Sequence, residues 1–445
     1  MFFWASRAPI ERPQMNIKTM RWCDRWLGIP LCAACSLHRR LFEPRGPAAE
    51  EKPRRVLFVK LAEQGALVLA ATAIRRAIEL CGRENVFFAV FEENRAILDA
   101  LAWLPEANVV AWPSGSSAAL ARGAPAALAR IRRLNIDTVI DLEFFSRATA
   151  VLSYLSGAKC RVGFSASAAG APYRGNLLTE RVPFDSSQHV AENFFNLTGF
   201  LDGGPSPRPR LRSGYGGQAR VPAFAPATAG MPASPRPVVS PTLHGFQPLA
   251  GEVDEMRQRL QKMTGVAGSL DLLLIHANCT DPLPLRRWPE QNYVELARGL
   301  LHRYPSLRIL ITGAPAEAAA AESLARRVGD GRCLSLAGQT SLRQLLVLFS
   351  LAKVLVTSDS GPAHFATLTP IQTVVLFGPE TPRFFGPRGP RSHSLWAGLP
   401  CSPCVSVEGG RDSACTDNVC LKQLTVEQVC AAVCAACEKR VKGDG

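Results

Sequence analysis

The stretch VTSDSGPAHFATLTPIQTVVLFGPETP, residues 356–382, decides how the second half of this chain is read. It opens on the end of an apolar run, KVLVTSD, and closes on another, IQTVVLFG. Runs of that length without alternation are typical of strands buried on both faces of a parallel sheet. Between them lie Asp359, Ser360, Gly361 and Pro362, then a helical segment carrying His364. Gly361 permits a tight turn and a close backbone approach. Pro362 suits the first turn of a helix. The free N–H groups at such a helix start form an anion site, suited to a diphosphate. The bland alternative is an ordinary strand–helix turn with a capping Asp or Ser.

Outward from this stretch the alternation of strand and helix continues. Upstream, LDLLLIHA and LRILITG read as strands, and EVDEMRQRLQKM, PEQNYVELARGLLHRY, PAEAAAAESLARRV and SLRQLLVLFSLA as helices. A Pro/Gly/Ser-rich segment, residues 203–251, interrupts the pattern as a linker. Before it, RRVLFVK, NVFFAVF and the end of AALARIRRLNIDTVIDLEF give three more strands, with a loop LAEQGA and a helix LVLAATAIRRAIEL after the first. The expectation is two α/β domains, residues 53–202 and 252–400, preceded by a basic arm, 1–52, and followed by a Cys-rich tail, 401–445.

The 445 residues are 47% hydrophobic and 20% charged, which excludes a disordered chain. The net charge of +14 favours anionic partners. Residues 1–60 hold 12 Lys or Arg against 5 Asp or Glu, half of that excess. In the arm, Trp22, Trp26 and Ile29 share one helical face, with Arg21, Arg25, Arg39 and Arg40 nearby. This suits either an interfacial helix or an arm packed on the main body. No apolar run is long enough to span a bilayer. No Gly-x-Gly-x-x-Gly occurs, which argues against a dinucleotide oxidoreductase, and no nucleic-acid reader motif is present.

Residues 358–382 resemble the signature of the heptosyltransferase-like glycosyltransferases of family nine, with its Asp-Ser/Thr-Gly-x-x-His core. RVLFVKLAEQGALVLAATAIR, IDTVIDLEFFSRATAVLSYLSGAKCRVGF, RRWPEQNYVELARGL and LITGAPAE resemble further segments of that family, in the family's order. The resemblance implies two Rossmann-like domains facing across a cleft, the GT-B architecture. It implies a nucleotide-activated sugar, typically an ADP-heptose, in the C-terminal half. It also implies inversion at the anomeric carbon without a metal or other cofactor, and lipopolysaccharide core precursors as acceptors.

Carried over by motif, Ser360, Gly361 and His364 hold the diphosphate region and Asp359 shapes that loop. Arg287 faces phosphate, and Glu317 binds the donor's ribose. The family commonly has Gly-Asp in its first loop, the Asp being the candidate base. Here the pair is Gly65-Ala66, and Ala cannot accept a proton. Glu63 is the nearest substitute, with His364 and Asp359 as alternatives. Lys60, Gly65 and Arg147 are expected on the acceptor side, with Arg161 open to the same reading. His189 and Asn193, one helical turn apart, either line the cleft or pack a helix.

Seven of the fourteen cysteines follow residue 400. Cys401, Cys404, Cys415 and Cys420 have a spacing within reach of a four-thiolate zinc site, with Arg411 and Lys422 to offset charge; reduced thiols or disulfides are the alternatives. Cys430, Cys434 and Cys437 fall on one helical face. The expected function is sugar transfer to a lipid-linked or cell-envelope saccharide, by a protein in the cytoplasm and peripheral on the inner membrane. The rival is a non-catalytic sugar-nucleotide or glycan-binding protein of the same fold, favoured by Ala66.

Overall fold

Seven apolar runs become the strands expected of them, and five further strands extend the sheets they form. A computed structural model describes residues 17–43, 53–165, 173–202, 245–266, 268, 270–277, 284–405, 407 and 413–443. Most of the expected linker, 203–244, lies outside them. The chain divides into two units: Met1–Ala62 with Ala77–Phe184 and Phe200–Gly204, and Glu63–Arg76 with Asp185–Gly199 and Pro205–Gly445.

The first unit holds six strands: β1 Val56–Val59, β2 Val86–Phe91, β3 Val109–Trp112, β4 Thr138–Asp141, β5 Cys160–Ser165 and β6 Glu180–Pro183. All pairs are parallel, in the order β3-β2-β1-β4-β5-β6. The segment expected to be the third strand is the fourth in the chain, because β3 precedes it. Every residue of β1, β2 and β4 is buried, which is why they carry no polar alternation.

The second unit repeats the plan with β7 Asp271–His276, β8 Leu307–Ile311, β9 Cys333–Ser335, β10 Val354–Ser358, β11 Gln372–Phe377 and β12 Ser392–Trp396. Their order is β12-β11-β10-β7-β8-β9, again all parallel. In each sheet the winding reverses between its first and fourth strands, β1/β4 and β7/β10. Ligands of doubly wound sheets bind beyond the strand ends at that switch point.

Sixteen α-helices occur among the described residues. They are α1 Ile17–Trp26, α2 Gly28–Phe42, α3 Gln64–Leu69, α4 Ala71–Cys81, α5 Arg95–Leu101, α6 Ser117–Arg133, α7 Arg147–Leu155, α8 Val190–Asn196, α9 Glu252–Thr264, α10 Glu290–Arg303, α11 Ala318–Val328, α12 Leu342–Leu351, α13 Gly361–Ala366, α14 Pro382–Phe385, α15 Val419–Lys422 and α16 Val426–Gly443. The loop expected over LAEQGA is shorter than read, since Gly65 and Ala66 lie inside α3. None of the described helices is long and apolar enough to cross a membrane.

The described part of the arm packs on the first unit. Gly28, Cys32 and Ser36 form the buried stripe of α2, and Cys32 joins a small core with Ala150 and Leu177. A Cβ on Gly28 would lie 2.8 Å from Arg147 Cβ, so glycine sets the close approach of α2 to α7. Asp24 accepts from the Arg147 and Ala148 N–H groups, both at 2.9 Å, and from the Ser146 hydroxyl at 3.1 Å. A carboxylate there satisfies free N–H groups of α7 and complements its dipole. Asp24→Ala should destabilise the first unit by about 1–2 kcal/mol, read as a lowered urea midpoint with faster proteolysis of the arm.

The tail is not an appendage. Leu421, Leu424, Val429, Val433 and Ala436 belong to the second unit's core together with Trp288 and Tyr293. Cys430, Cys434 and Cys437 pack half-buried against the same core, as their helical spacing suggested.

Candidate active site

In the second unit, β10 delivers the fully buried Thr357 and Ser358 to the switch point beside β7. Asp359 follows, 5% exposed, its N–H donating to the Leu376 carbonyl at 3.1 Å. Ser360 is extended and precedes α13 without a side-chain cap. Its hydroxyl donates to the Ser358 carbonyl at 3.1 Å and lies 3.2 Å from Thr357 Oγ1, so it is engaged by its own strand end. The helix begins at Gly361 with Pro362 in its first turn, but is only six residues long. So short a helix supplies a few free N–H groups and little macrodipole. Positive charge at this site has to come from a side chain.

The arginine that the structure sets against this strand end is Arg286, next to Arg287, which was expected to face phosphate. Arg286 is ion-paired with Glu380, and its Nε lies 3.8 Å from Asp359 Oδ2. Arg287 is exposed. The one-residue difference is fixed by Trp288, which is 2% exposed, meets Tyr293 edge-on at 4.9 Å and donates to the Leu424 carbonyl at 2.8 Å. Asn418 donates to the Arg287 carbonyl at 2.6 Å, tying the same turn to the tail. Glu380, buried just beyond β11, went unread in the sequence. A carboxylate directly after the strand ending Phe377-Gly378-Pro379 was the available signal.

The first loop converges on the same place within the second unit. A Cβ on Gly65 would lie 2.7 Å from His364 Cδ2 and 3.3 Å from Gly361 Cα, so α3 and α13 meet where Gly65 leaves room. Glu63, half-buried before α3, has φ 71° and ψ 83°, a left-handed backbone that costs a non-glycine residue roughly 1–3 kcal/mol. Such strain recurs at functional sites. His364 is buried, and its Nδ1 has no hydrogen-bond partner among the described residues. Burial first, then the charges of His189 and Arg286, push its pKa down to about 3. Glu317, 5% exposed beyond β8, accepts the Ala314 N–H at 2.7 Å and so shapes its own turn.

His189 and Asn193 pack α8. His189 Nδ1 accepts from the Ala191 N–H at 3.1 Å, leaving Nε2–H to donate to the Gly386 carbonyl at 2.8 Å. Asn193 exchanges two hydrogen bonds with the Asp185 backbone, both 2.9 Å. Burial, and after it Arg388, lowers the His189 pKa to about 4. Both histidines are therefore held neutral below the value of 6.5 expected when unfolded. Between those values the unfolded chain binds more protons, so stability is intact above pH 6.5 and lost as pH falls. By pH 4 the loss should reach about 3 kcal/mol for each histidine. A series of thermal midpoints measures it, and His189→Asn, which can still cap α8, should remove about half of the slope.

In the first unit the expected acceptor-side cations are already engaged. Lys60 is 1% exposed and pairs with Glu143 Oε2 at 2.8 Å, while Glu143 Oε1 accepts from the Leu61 and Ala62 N–H groups. Arg147 Nη1 is 3.3 Å from Asp24 and its Nε donates to the Tyr173 carbonyl at 3.0 Å. Arg161 is paired with Glu43 at 2.9 Å and donates to the Leu177 carbonyl at 2.7 Å. Asp141, buried at the end of β4, has its pKa raised to about 7 by burial, against the opposing pull of Arg174.

Cys401, Cys404, Cys415 and Cys420 are free thiols. Among the described residues no three His, Cys, Asp or Glu side chains form a group able to hold a metal ion. Cys415 Sγ donates to the Asp417 carbonyl at 2.9 Å, and the Ser413 hydroxyl donates to Cys404 Sγ at 3.3 Å. Lys422 pairs with Asp417, whereas Arg411 lies outside the described residues.

Two doubly wound parallel sheets in one chain, each of this strand order, define the GT-B architecture. Residues 126–411 match the model of glycosyltransferase family 9 (heptosyltransferase), and the chain belongs to that family. Lipopolysaccharide heptosyltransferase 2 of Salmonella typhimurium is 32% identical over 107 residues, 23% of this chain and 30% of the relative. The Escherichia coli protein of the same name gives the same figures. The aligned stretch thus spans under a third of those curated relatives. The solved E. coli ADP-heptose lipopolysaccharide heptosyltransferase II superposes with a TM-score of 0.62 at 16% identity, covering 87% of this chain and 99% of that one. An E. coli heptosyltransferase solved with ADP gives 0.58 at 18% identity, covering 86% and 99%. Likeness at these identities speaks for the fold.

Proposed function

We propose that this protein is an inverting, metal-independent glycosyltransferase. It moves a heptose-like sugar from a nucleoside-diphosphate donor to a lipopolysaccharide or other cell-envelope glycan, working on the cytoplasmic surface of the inner membrane. The observation that carries the reading is the gathering of Arg286, the Ser360–Gly361 turn, His364 and the first loop at the switch point of the second unit. Solved relatives that contain ADP or an ADP-fluoroheptose support the donor class.

The roles follow from charge. Arg286 and the N–H groups at the start of α13 face the departing diphosphate, where negative charge develops. Asp359 and Glu380 fix the guanidinium. Glu317 meets the ribose hydroxyls, since a carboxylate only accepts hydrogen bonds. Glu63 takes the proton of the acceptor hydroxyl as its oxygen attacks the anomeric carbon and the sugar–phosphate bond breaks. His364 stays neutral at working pH and acts through hydrogen bonding, because an imidazole with so low a pKa is a poor base. Lys60, Gly65 and Arg147 shape the acceptor side through the contacts described above rather than as free cations.

The binding-only rival keeps the donor site and lacks turnover. Purified protein should be thermally stabilised by ADP-heptose more than by GDP- or UDP-sugars. It should also transfer the sugar to a core saccharide at an undiminished rate in EDTA. Stabilisation without any transfer would favour the rival. Loss of transfer in EDTA would overturn the metal-free mechanism.

A further inference from the structure

The packed arm leaves its other side bare. In α2 the buried positions Gly28, Cys32, Cys35, Ser36 and Arg39 lie on one face, all buried or half-buried. Helical periodicity then puts Pro30, Ala33, Ala34, Leu37 and Leu41 on the opposite face, and all five are exposed. That face carries no charge at all. Trp22 and Trp26, one turn apart on α1, are each 58% exposed, and Leu37, Leu41 and Phe42 are 59%, 67% and 71% exposed. Most of the large hydrophobic side chains exposed among the described residues fall between Trp22 and Phe42. Exposed large apolar side chains concentrated in one short stretch in this way point to an interaction site.

The charges say which partner fits. Arg25 and Arg40 are exposed beside the apolar face, with the Arg25 guanidinium 5.8 Å from the Trp26 ring. Asp24, the acidic residue of α1, pairs with the start of α7, and Glu43, just past α2, pairs with Arg161. Among the described side chains of α1 and α2, the exposed ones include apolar groups and the cations Arg25 and Arg40 but no carboxylate. We propose that α1 and α2 dock on an anionic lipid bilayer, the Trp and Leu side chains entering the headgroup–acyl boundary and Arg25 and Arg40 meeting lipid phosphates. Indole rings favour that depth. This deepens the proposed transferase reading by naming the surface that holds the enzyme beside a lipid-linked acceptor.

The test is flotation of the full-length protein with vesicles of phosphatidylethanolamine and phosphatidylglycerol, against vesicles of phosphatidylcholine alone. Wild type should float with the anionic vesicles, with a blue shift in indole emission. Trp26→Ser with Leu37→Ser and Leu41→Ser should abolish both. Arg25→Gln with Arg40→Gln should weaken binding roughly 10- to 30-fold and flatten its salt dependence. All these positions are exposed, so the variants should keep the wild-type thermal midpoint. Absence of flotation, equal binding to phosphatidylcholine, or flotation of the triple variant like wild type overturns the proposal. So does a wild-type dimer that the triple variant converts to monomer, which would make a second copy the occupant. Transfer to a delipidated acceptor saccharide is measured in parallel. The docking variants should retain it, and its absence in every form would sink the transferase reading while leaving the vesicle result to stand.

Discussion

Arg286→Ala should destabilise the second unit by about 3–5 kcal/mol, lowering its thermal midpoint by about 10 °C. The side chain of Glu380 is 2% exposed and that of Asp359 7%, and both carboxylates pair with this guanidinium. Removing the cation takes one shared positive charge away from two buried carboxylates, and breaking a buried pair on one side costs more than the pair's own net value. Changing Arg286 and Glu380 together to Leu should recover much of the lost stability, since a buried pair is often replaced by apolar groups at small cost. The double variant should still show no donor-induced stabilisation. Arg287→Ala should change stability by no more than about 0.5 kcal/mol, as expected at an exposed position. Equal effects at the two arginines would remove the reason for preferring Arg286.

Glu63→Gln should lower transfer by about 10²–10⁴-fold with donor binding unchanged, because the amide keeps the shape and loses the basicity. Glu63→Gly makes the complementary case. With φ at 71°, glycine relieves a conformation that glutamate adopts at a cost, so this variant should be stabilised by about 1 kcal/mol and still fail to transfer. A more stable, inactive Gly variant beside an equally stable, inactive Gln variant would mark the strain as maintained for chemistry. Normal turnover by the Gln variant would move the base elsewhere.

What the sequence revealed divides by position in the sheets. The interior strands β1, β2, β4, β7, β8, β10 and β11 are covered on both faces and read as apolar runs. The edge strands β3, β6, β9 and β12 were not picked out, nor was the interior β5, whose CRVGFS is broken by Arg161 and Gly163. β6 is ERVP, β9 has three residues and β12 begins Ser-His-Ser, so none carries the buried-strand pattern. The site divides by separation along the chain. Asp359, Gly361 and His364 fall within one turn and could be read as a unit. Arg286 meets Glu380 across 94 residues and Lys60 meets Glu143 across 83, pairings no local pattern reports. That Arg286 rather than its neighbour meets Asp359 and Glu380 goes with the burial of Trp288 under a tail more than 130 residues downstream.

The second unit draws Glu63–Arg76 and Asp185–Gly199 from the first half of the chain. Severing the backbone anywhere between 203 and 244 would therefore not yield a self-sufficient carboxy-terminal fragment. Such a fragment would lack the glycine that fits His364 and the histidine that anchors Gly386. Exchanging halves between relatives to swap donor preference would have to transplant those two short pieces as well, or the hybrid would be assembled from mismatched parts.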